Sequence, residues 1–324
     1  MAKVRCKETG MNSFFGNFLY EQKVSPNHFL RKLDEVIDWD RFTAKLLSHY
    51  KGKGEIGQAP YNPITILKML LISYLWNVSE RMIEVLANDS LSIGFFLGIG
   101  ADEKAPDHST LTLFKNRLIN NAGVVTYEEL FDEIIRMAQE KGAKFGKLQV
   151  VDSVHLVADV NVGKDRQRQN DGKGLRDKDV TWGVKGDKIV VDKDLSKGIE
   201  VGTVAADKGY DDGENHYYLS QKGINSAIRL NNYRTEKKDE NKKGWVKLKE
   251  SSEYQEGLKE RYKVERKFGE AKKWHGFDRC RYVGFVRHAI QSYLTFMALN
   301  LKRLAKLLTG VSFRGESRAY SMSS

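Results

Sequence analysis

The stretch Val201-Gly202-Thr203-Val204-Ala205-Ala206-Asp207, continued by Asp211-Asp212-Gly213 and, after Gly223, by Ile224-Asn225-Ser226-Ala227-Ile228-Arg229-Leu230, decides the fold of the second half of the chain. A short apolar run ends abruptly at the Asp207 carboxylate. Asp211-Asp212-Gly213 starts a helix, Gly223 closes it, and Ile224 to Leu230 reads as a second strand. Strand, helix and strand within about thirty residues make a βαβ unit, so the two strands run parallel.

Working upstream, Val150, Val151, Val154, Leu156, Val157 and Val160 read as another strand, interrupted by Asp152. Between the two runs lies a polar stretch from Gly163 to Lys188 with eight Lys or Arg against five Asp, read as a loop. Downstream, Asn231 to Glu250 reads as a charged loop. From about Lys259 to Leu308 the chain reads as helix, with breaks near Gly276 and Gly284.

Before Gly146 the pattern is helical. Asn62-Pro63 offers an N-cap and a first-turn proline ahead of a helix that is apolar nearly all round. Asp107 precedes a helix expected from Leu111 to Leu118. Thr126-Tyr127-Glu128-Glu129 has capping-box spacing, and Leu130, Phe131, Ile134, Ile135 and Ala138 follow a 3.6-residue period to a stop at Gly142. The expected organisation is a helical domain over residues 1–145, an α/β domain over 146–310 and a tail over 311–324.

The chain has 324 residues, of which 40% are hydrophobic and 30% charged, a composition suited to folded globular domains rather than disorder. The longest dense apolar run, Ile64 to Trp76, is broken by Lys68 and falls short of the roughly 20 residues of a membrane span. The first residues have no apolar leader segment, and Cys6 and Cys280 make neither a disulfide framework nor a metal-ligand spacing. A cytoplasmic protein with no membrane partner is expected. Fifty-four Lys and Arg against forty-three Asp and Glu give a net charge of +11, which favours a polyanionic partner such as nucleic acid. The excess concentrates between Lys259 and Lys306, where thirteen Lys or Arg face four acids.

Three acids stand out by position. Asp152 interrupts an apolar strand, where an unpaired carboxylate is costly. Asp207 sits at the carboxyl end of a strand, the edge where α/β sheets place ligands. Glu265 lies on a basic helix on which Arg261, Glu265, Phe268 and Lys272 share one face. If they converge, they offer hard oxygen ligands for Mg²⁺ or Mn²⁺, and two such ions can activate water and stabilise a leaving oxygen at a phosphodiester. Taken singly, each acid has a plainer reading as a cap, a turn residue or half of an exposed ion pair. His155 reads as a strand histidine and His275 as a helix-end residue. Trp182, Trp245 and Trp274 are candidates for stacking on bases or for partial burial. The glycines from Gly94 to Gly100 fit no phosphate loop.

Arg261-x3-Glu265-x6-Lys272 matches the R-x3-E-x6-K part of the signature Y-x2-R-x3-E-x6-K, and here the chain resembles the DDE transposases of bacterial insertion sequences. Val204-Ala205-Ala206-Asp207-Lys208-Gly209-Tyr210-Asp211 is similar to that family's second-aspartate motif, and Leu148-Gln149-Val150-Val151-Asp152-Ser153 to the first. Pro106-Asp107-His108-Ser109-Thr110-Leu111-x2-Phe114 is similar to the close of its helical N-terminal domain. The resemblance implies a helical DNA-binding region followed by a ribonuclease-H-like mixed sheet flanked by helices. Asp152, Asp207 and Glu265 would be the catalytic and metal-binding triad for about two Mg²⁺ or Mn²⁺ ions. Arg261, Lys272, Arg266 and Lys208 would contact DNA, and the protein would pair as a homodimer on the element's terminal repeats. Water would nick the element's end, and the freed 3′ hydroxyl would attack target DNA.

Two departures qualify the resemblance. The signature's tyrosine position is Leu258. Asp152 and Asp207 are only 55 residues apart, without the G-Y-K-x-H strand and the turn that relatives place between them. Trp182 to Asp187 passes almost directly into Ile189 to Asp192, which points to a shortened sheet. Three functions therefore stand side by side: an active transposase, an inactive DNA-binding remnant with an internal deletion, and a nuclease that cleaves without joining.

Overall fold

Asn62 and Pro63 start the helix around which one half of the protein is built. The computed structural model describes residues 14–50, 59–152, 195–232 and 243–313, with Cys6, Lys7 and a few positions between 164 and 171. Its helices and strands in chain order are α1 (Phe14–Lys23), α2 (Phe29–Val36), α3 (Asp40–Leu47), α4 (Pro63–Leu75), α5 (Glu80–Asp89), α6 (Leu91–Leu97), α7 (His108–Ala122) and α8 (Val125–Glu140). There follow β1 (Leu148–Val150), β2 (Thr203–Ala206), α9 (Gly213–Gln221), β3 (Asn225–Ile228), α10 (Lys243–Glu250), α11 (Ser252–Glu260), α12 (Tyr262–His275) and α13 (Phe285–Thr309). The contacts divide the chain into two units, one of residues 1–143, 157–179 and 273–324, the other of residues 144–156 and 180–272.

In the helical unit, Asn62 Oδ1 accepts the Ile64 amide at 2.9 Å and Pro63 takes the first helical position. Every residue of α4 is buried, as its all-round apolar sequence requires. Lys68 is tolerated there because its ammonium pairs with Asp34 at 2.6 Å and lies 4.8 Å over the Trp39 ring. Burial pulls its pKa down, and Asp34 opposes the pull.

The C-terminal helix α13 joins this same core. Ile290, Leu294, Met297 and Leu301, spaced four, three and four, form one buried stripe with residues of α4 and α8. The boundaries expected from sequence placed this helix with the strands. The apolar stripe finds its partners in the helical unit instead.

Helix boundaries follow local chemistry with two corrections. Asp107 caps α7 by accepting the Thr110 amide at 2.7 Å, one turn earlier than the apolar period suggested. Gly142, at φ +83°, ends α8 as expected. Thr126 does not form the capping box. The chain turns at Gly123 and enters α8 at Val125, so Thr126 lies inside the first turn, buried, with its hydroxyl 2.9 Å from His49 Nε2.

The other unit holds a parallel sheet of order β1-β2-β3 among the described residues. The expected βαβ unit is present: α9 connects parallel β2 and β3, and Gly223, at φ +67°, closes the helix. Side chains alternate with period two. Val204, Ala206 and Ile228 pack with Tyr210 and Leu219, whereas Ala205 and Ala227 pack with Leu230 and Tyr254. The continuation of the first strand over Val154 to Val160, the basic stretch's Trp182 and the suspected deletion near Asp187 lie outside the described residues.

The charged segment expected as a loop from Asn231 to Glu250 contains a helix. Lys243 to Glu250 form α10, because Trp245 and Leu248, one turn apart, pack toward Tyr254 and the sheet. Helix likewise begins at Ser252 rather than Lys259, with Ser251 accepting the Tyr254 amide. The breaks at Gly276 (φ +63°) and Gly284 (φ +93°) are as expected. No helix among the described residues is long and apolar enough to cross a membrane.

Gly257 shows what holds α11 on the sheet. A Cβ there would overlap that of Ala227 and stand 3.4 Å from that of Ala205, so the close approach needs a glycine facing two alanines. Gly257→Ala should destabilise this unit by about 1–3 kcal/mol through overpacking. Gly269→Ala, on α12 with nothing within 4 Å, should be neutral or stabilise by up to about 1 kcal/mol through helix propensity. Urea midpoints of the two variants check the opposite signs, and equal midpoints would remove the packing argument.

Candidate active site

The pairing of β1 with β2 bears directly on two of the three acids. Leu148 faces Thr203 and Val150 faces Ala205, an offset of 55 residues, which is also the separation of Asp152 and Asp207. The Val151 amide donates to Ala205 O at 2.8 Å, carrying the ladder one step past β1. The paired residues end at Val150 and Ala205; extended by two residues, that register would set Asp152 opposite Asp207, where adjacent strands lie about 4.8 Å apart. Among the described residues no strand intervenes, and both acids follow the carboxyl ends of their strands.

Asp207 has a second, local duty. Its Oδ1 accepts the Gly209 amide at 2.9 Å and caps the 3₁₀ turn Lys208–Tyr210. That turn is anchored by a buried network absent from the sequence reading. The Asp211 carboxylate accepts the Asn231 amide at 2.7 Å through Oδ2, and its Oδ1 lies 3.0 Å from His216 Nε2. The other His216 nitrogen is 2.9 Å from Ser226 Oγ on β3, and Trp245 meets the imidazole edge-on at 4.7 Å. With Asp211 ionised, Nε2 carries the proton and Nδ1 accepts from Ser226. Asn231 Nδ2 also donates to Lys208 O at 3.3 Å. The loop that carries Asp207 is thereby tied to the end of β3. The available signal was Asp211 directly after the strand-end motif, with His216 one turn into the next helix.

Glu265 is placed differently. It lies exposed in the first turn of α12 and accepts from the Arg261 guanidinium at 3.2 Å. Arg261 is the C-cap of α11, and its Nε is buried with no partner among the described residues. Lys272 follows two turns beyond Glu265 and is half-buried, whereas Arg266 and Lys208 are exposed. Among the described residues no three His, Cys, Asp or Glu side chains gather into a group able to hold one metal ion. Asp152 and Asp207 follow the ends of two adjacent strands, and Glu265 is engaged with Arg261.

His275 ends α12, buried, with Nδ1 2.9 Å from Tyr74 O. Trp245 is half-buried in the sheet unit, and Trp274 is half exposed. His155 lies outside the described residues. Cys6 and Cys280 are free thiols, and burial raises the pKa of Cys6.

The architecture defines an α+β protein in which an all-helical unit accompanies a small parallel sheet bearing acids at its carboxyl edge. Residues 18–117 match the family described as a transposase domain (DUF772), and residues 153–301 match the transposase DDE domain. The two matches support a DDE transposase, a kind of domain that works with divalent metal ions in general. The second match contains Asp207 and Glu265 and begins one residue after Asp152. No solved structure matches the chain.

Proposed function

We propose that the protein is the transposase of a bacterial insertion sequence, binding the element's terminal repeats and catalysing metal-dependent cleavage and strand transfer. The observation that carries this reading is the β1–β2 register, whose offset equals the separation of Asp152 and Asp207. On this reading the parallel strands belong to a ribonuclease-H-like sheet.

Asp152 and Asp207 offer the hard oxygen donors that suit Mg²⁺ or Mn²⁺. Glu265 completes the set when Arg261 exchanges its carboxylate partner for a DNA phosphate. Bound divalent ions supply a water of lowered pKa and a counter-charge for the leaving oxygen. The chain's own part is positioning. Asp207 is held by its turn, the turn is held by Asp211, and Arg261, Arg266, Lys208 and Lys272 meet the phosphates. Cleavage breaks a P–O3′ bond by hydrolysis. The resulting 3′ hydroxyl then displaces a 3′ oxygen in target DNA, conserving the number of phosphodiester bonds. A homodimer assembled on two element ends, acting in the cytoplasm at the nucleoid, would bring both ends to one target.

A second reading, a DNA-binding remnant without catalysis, draws support from Glu265, which is exposed and paired with Arg261 rather than grouped with the aspartates. The short Asp152–Asp207 spacing supports it too. Strand-transfer assays with Mg²⁺ on DNA flanked by the gene's own terminal sequences separate the readings. Joined products, lost on Glu265→Ala, are the result expected of a transposase. Nicked but unjoined DNA points to a nuclease, and end-specific binding without cleavage to the remnant.

A further inference from the structure

A cleft of about 910 Å³ opens in the helical unit, between the start of α5, the first turns of α7 and the Gly276–Gly284 turn that leads into α13. Its lining carries five Lys or Arg side chains against two acids. Three of the five cations, Lys115, Arg281 and Arg279, already have partners within the protein. Lys115 is buried and pairs with Glu80, and the Tyr282 hydroxyl donates to Glu80 at 2.8 Å. Arg281 donates to Val78 O at 3.1 Å and Asn77 Oδ1 at 2.8 Å, with its guanidinium 4.5 Å over the Tyr74 ring. These bonds pin the turn to α4 and α5, and they consume the Glu80 charge.

Arg81 and Arg287 are left over. Both are exposed at the cleft, and neither has an ion pair among the described residues. The surplus is felt inside the wall. Burial lowers the Lys115 pKa, Glu80 opposes this, and Arg287 and Arg281 lower it further. Cations crowded beyond what the local acids neutralise make a site for an external anion.

The geometry points to this cleft as a docking site for the phosphate backbone of double-stranded DNA, held by Arg81 and Arg287. Guanidinium forks suit phosphate oxygens, and contacts to phosphate position a duplex without reading its sequence. A single strand is disfavoured, since such sites rely on open aromatic faces for base stacking. The aromatic ring in this lining, Tyr282, has Lys115 over it at 4.4 Å and its hydroxyl committed to Glu80. The inference rests on the transposase reading for its ligand, DNA, but shares no residue with the carboxylate edge.

The test uses the full-length chain with a short duplex of arbitrary sequence and, separately, with one of its single strands, affinity being measured across a salt series. Wild type is compared with Arg81→Gln/Arg287→Gln and with a control pair on the exposed side of α13, Arg303→Gln/Lys306→Gln. Losing two phosphate contacts should flatten the slope of log affinity against log salt by about 2, and weaken binding about tenfold or more at low salt. The control pair should keep the wild-type slope. Arg81→Lys/Arg287→Lys, which retains the charge, should keep most of it too, separating loss of phosphate contact from damage to the fold. Equal slopes for wild type and the glutamine pair would overturn the cleft and leave the transposase reading standing. So would a loss confined to single-stranded DNA. No salt-dependent duplex binding by wild type would overturn both.

Discussion

Asp207→Asn and Asp152→Asn should each lower the strand-transfer rate by on the order of a thousandfold or more, as removal of a member of a catalytic unit does. Apparent affinity for DNA should change little, because the basic side chains remain. The structure also permits a readout independent of turnover. Asparagine at 207 still offers an oxygen to the Gly209 amide, so the turn survives. It removes one of two like charges on adjacent strand ends, and the metal-free variant should melt at or above wild type. Mg²⁺ should then raise the melting temperature of wild type, since a ligand of the native state stabilises it, and should do so much less for either variant. Glu265→Gln should retain more of the Mg²⁺ shift, because that carboxylate begins paired with Arg261. Equal Mg²⁺ shifts in wild type and both aspartate variants would sink the metal role of the pair.

Dividing the chain at residue 145 should destroy the cooperative folding of its first part. Five large apolar side chains of α13, Ile290, Leu294, Met297, Leu301 and Leu304, are each no more than 3% exposed within the helical core. At about 1.5–3 kcal/mol for each buried side chain, their removal costs on the order of 10 kcal/mol. That is comparable to the entire stability of a domain, about 5–15 kcal/mol. Residues 1–145 expressed alone should give a broad, non-cooperative melt and bind a hydrophobic dye, while the full chain melts sharply. A sharp melt of the isolated segment at the full chain's temperature would show that α13 contributes nothing to this core. Any assignment of end recognition to the helical region must therefore use point substitutions in the intact protein rather than truncation.

Local signals made much of this protein legible. Asn62-Pro63 starts a helix, Gly142 and Gly223 end two others, and the apolar run before Asp207 became a strand with the acid at its carboxyl end. Each depends on groups within a turn or two of chain, which is the range over which a cap or a side-chain period acts. Where the competing partner was remote, the local signal failed. Thr126 has capping-box neighbours but bonds His49, and Trp245 with Leu248 turns charged sequence into helix by packing toward Tyr254. The sequence by itself determined that Asp207 ends a strand-like run, that Asp152 interrupts one, and that Glu265 lies four residues after Arg261 in helical sequence. Only the tertiary structure decided that β1 pairs with β2 at an offset equal to the aspartates' separation, that α13 joins the helical core, and that Arg81 and Arg287 line one cleft. Pairing register and packing are set by contacts between residues tens to hundreds of positions apart, and no local pattern carries that information.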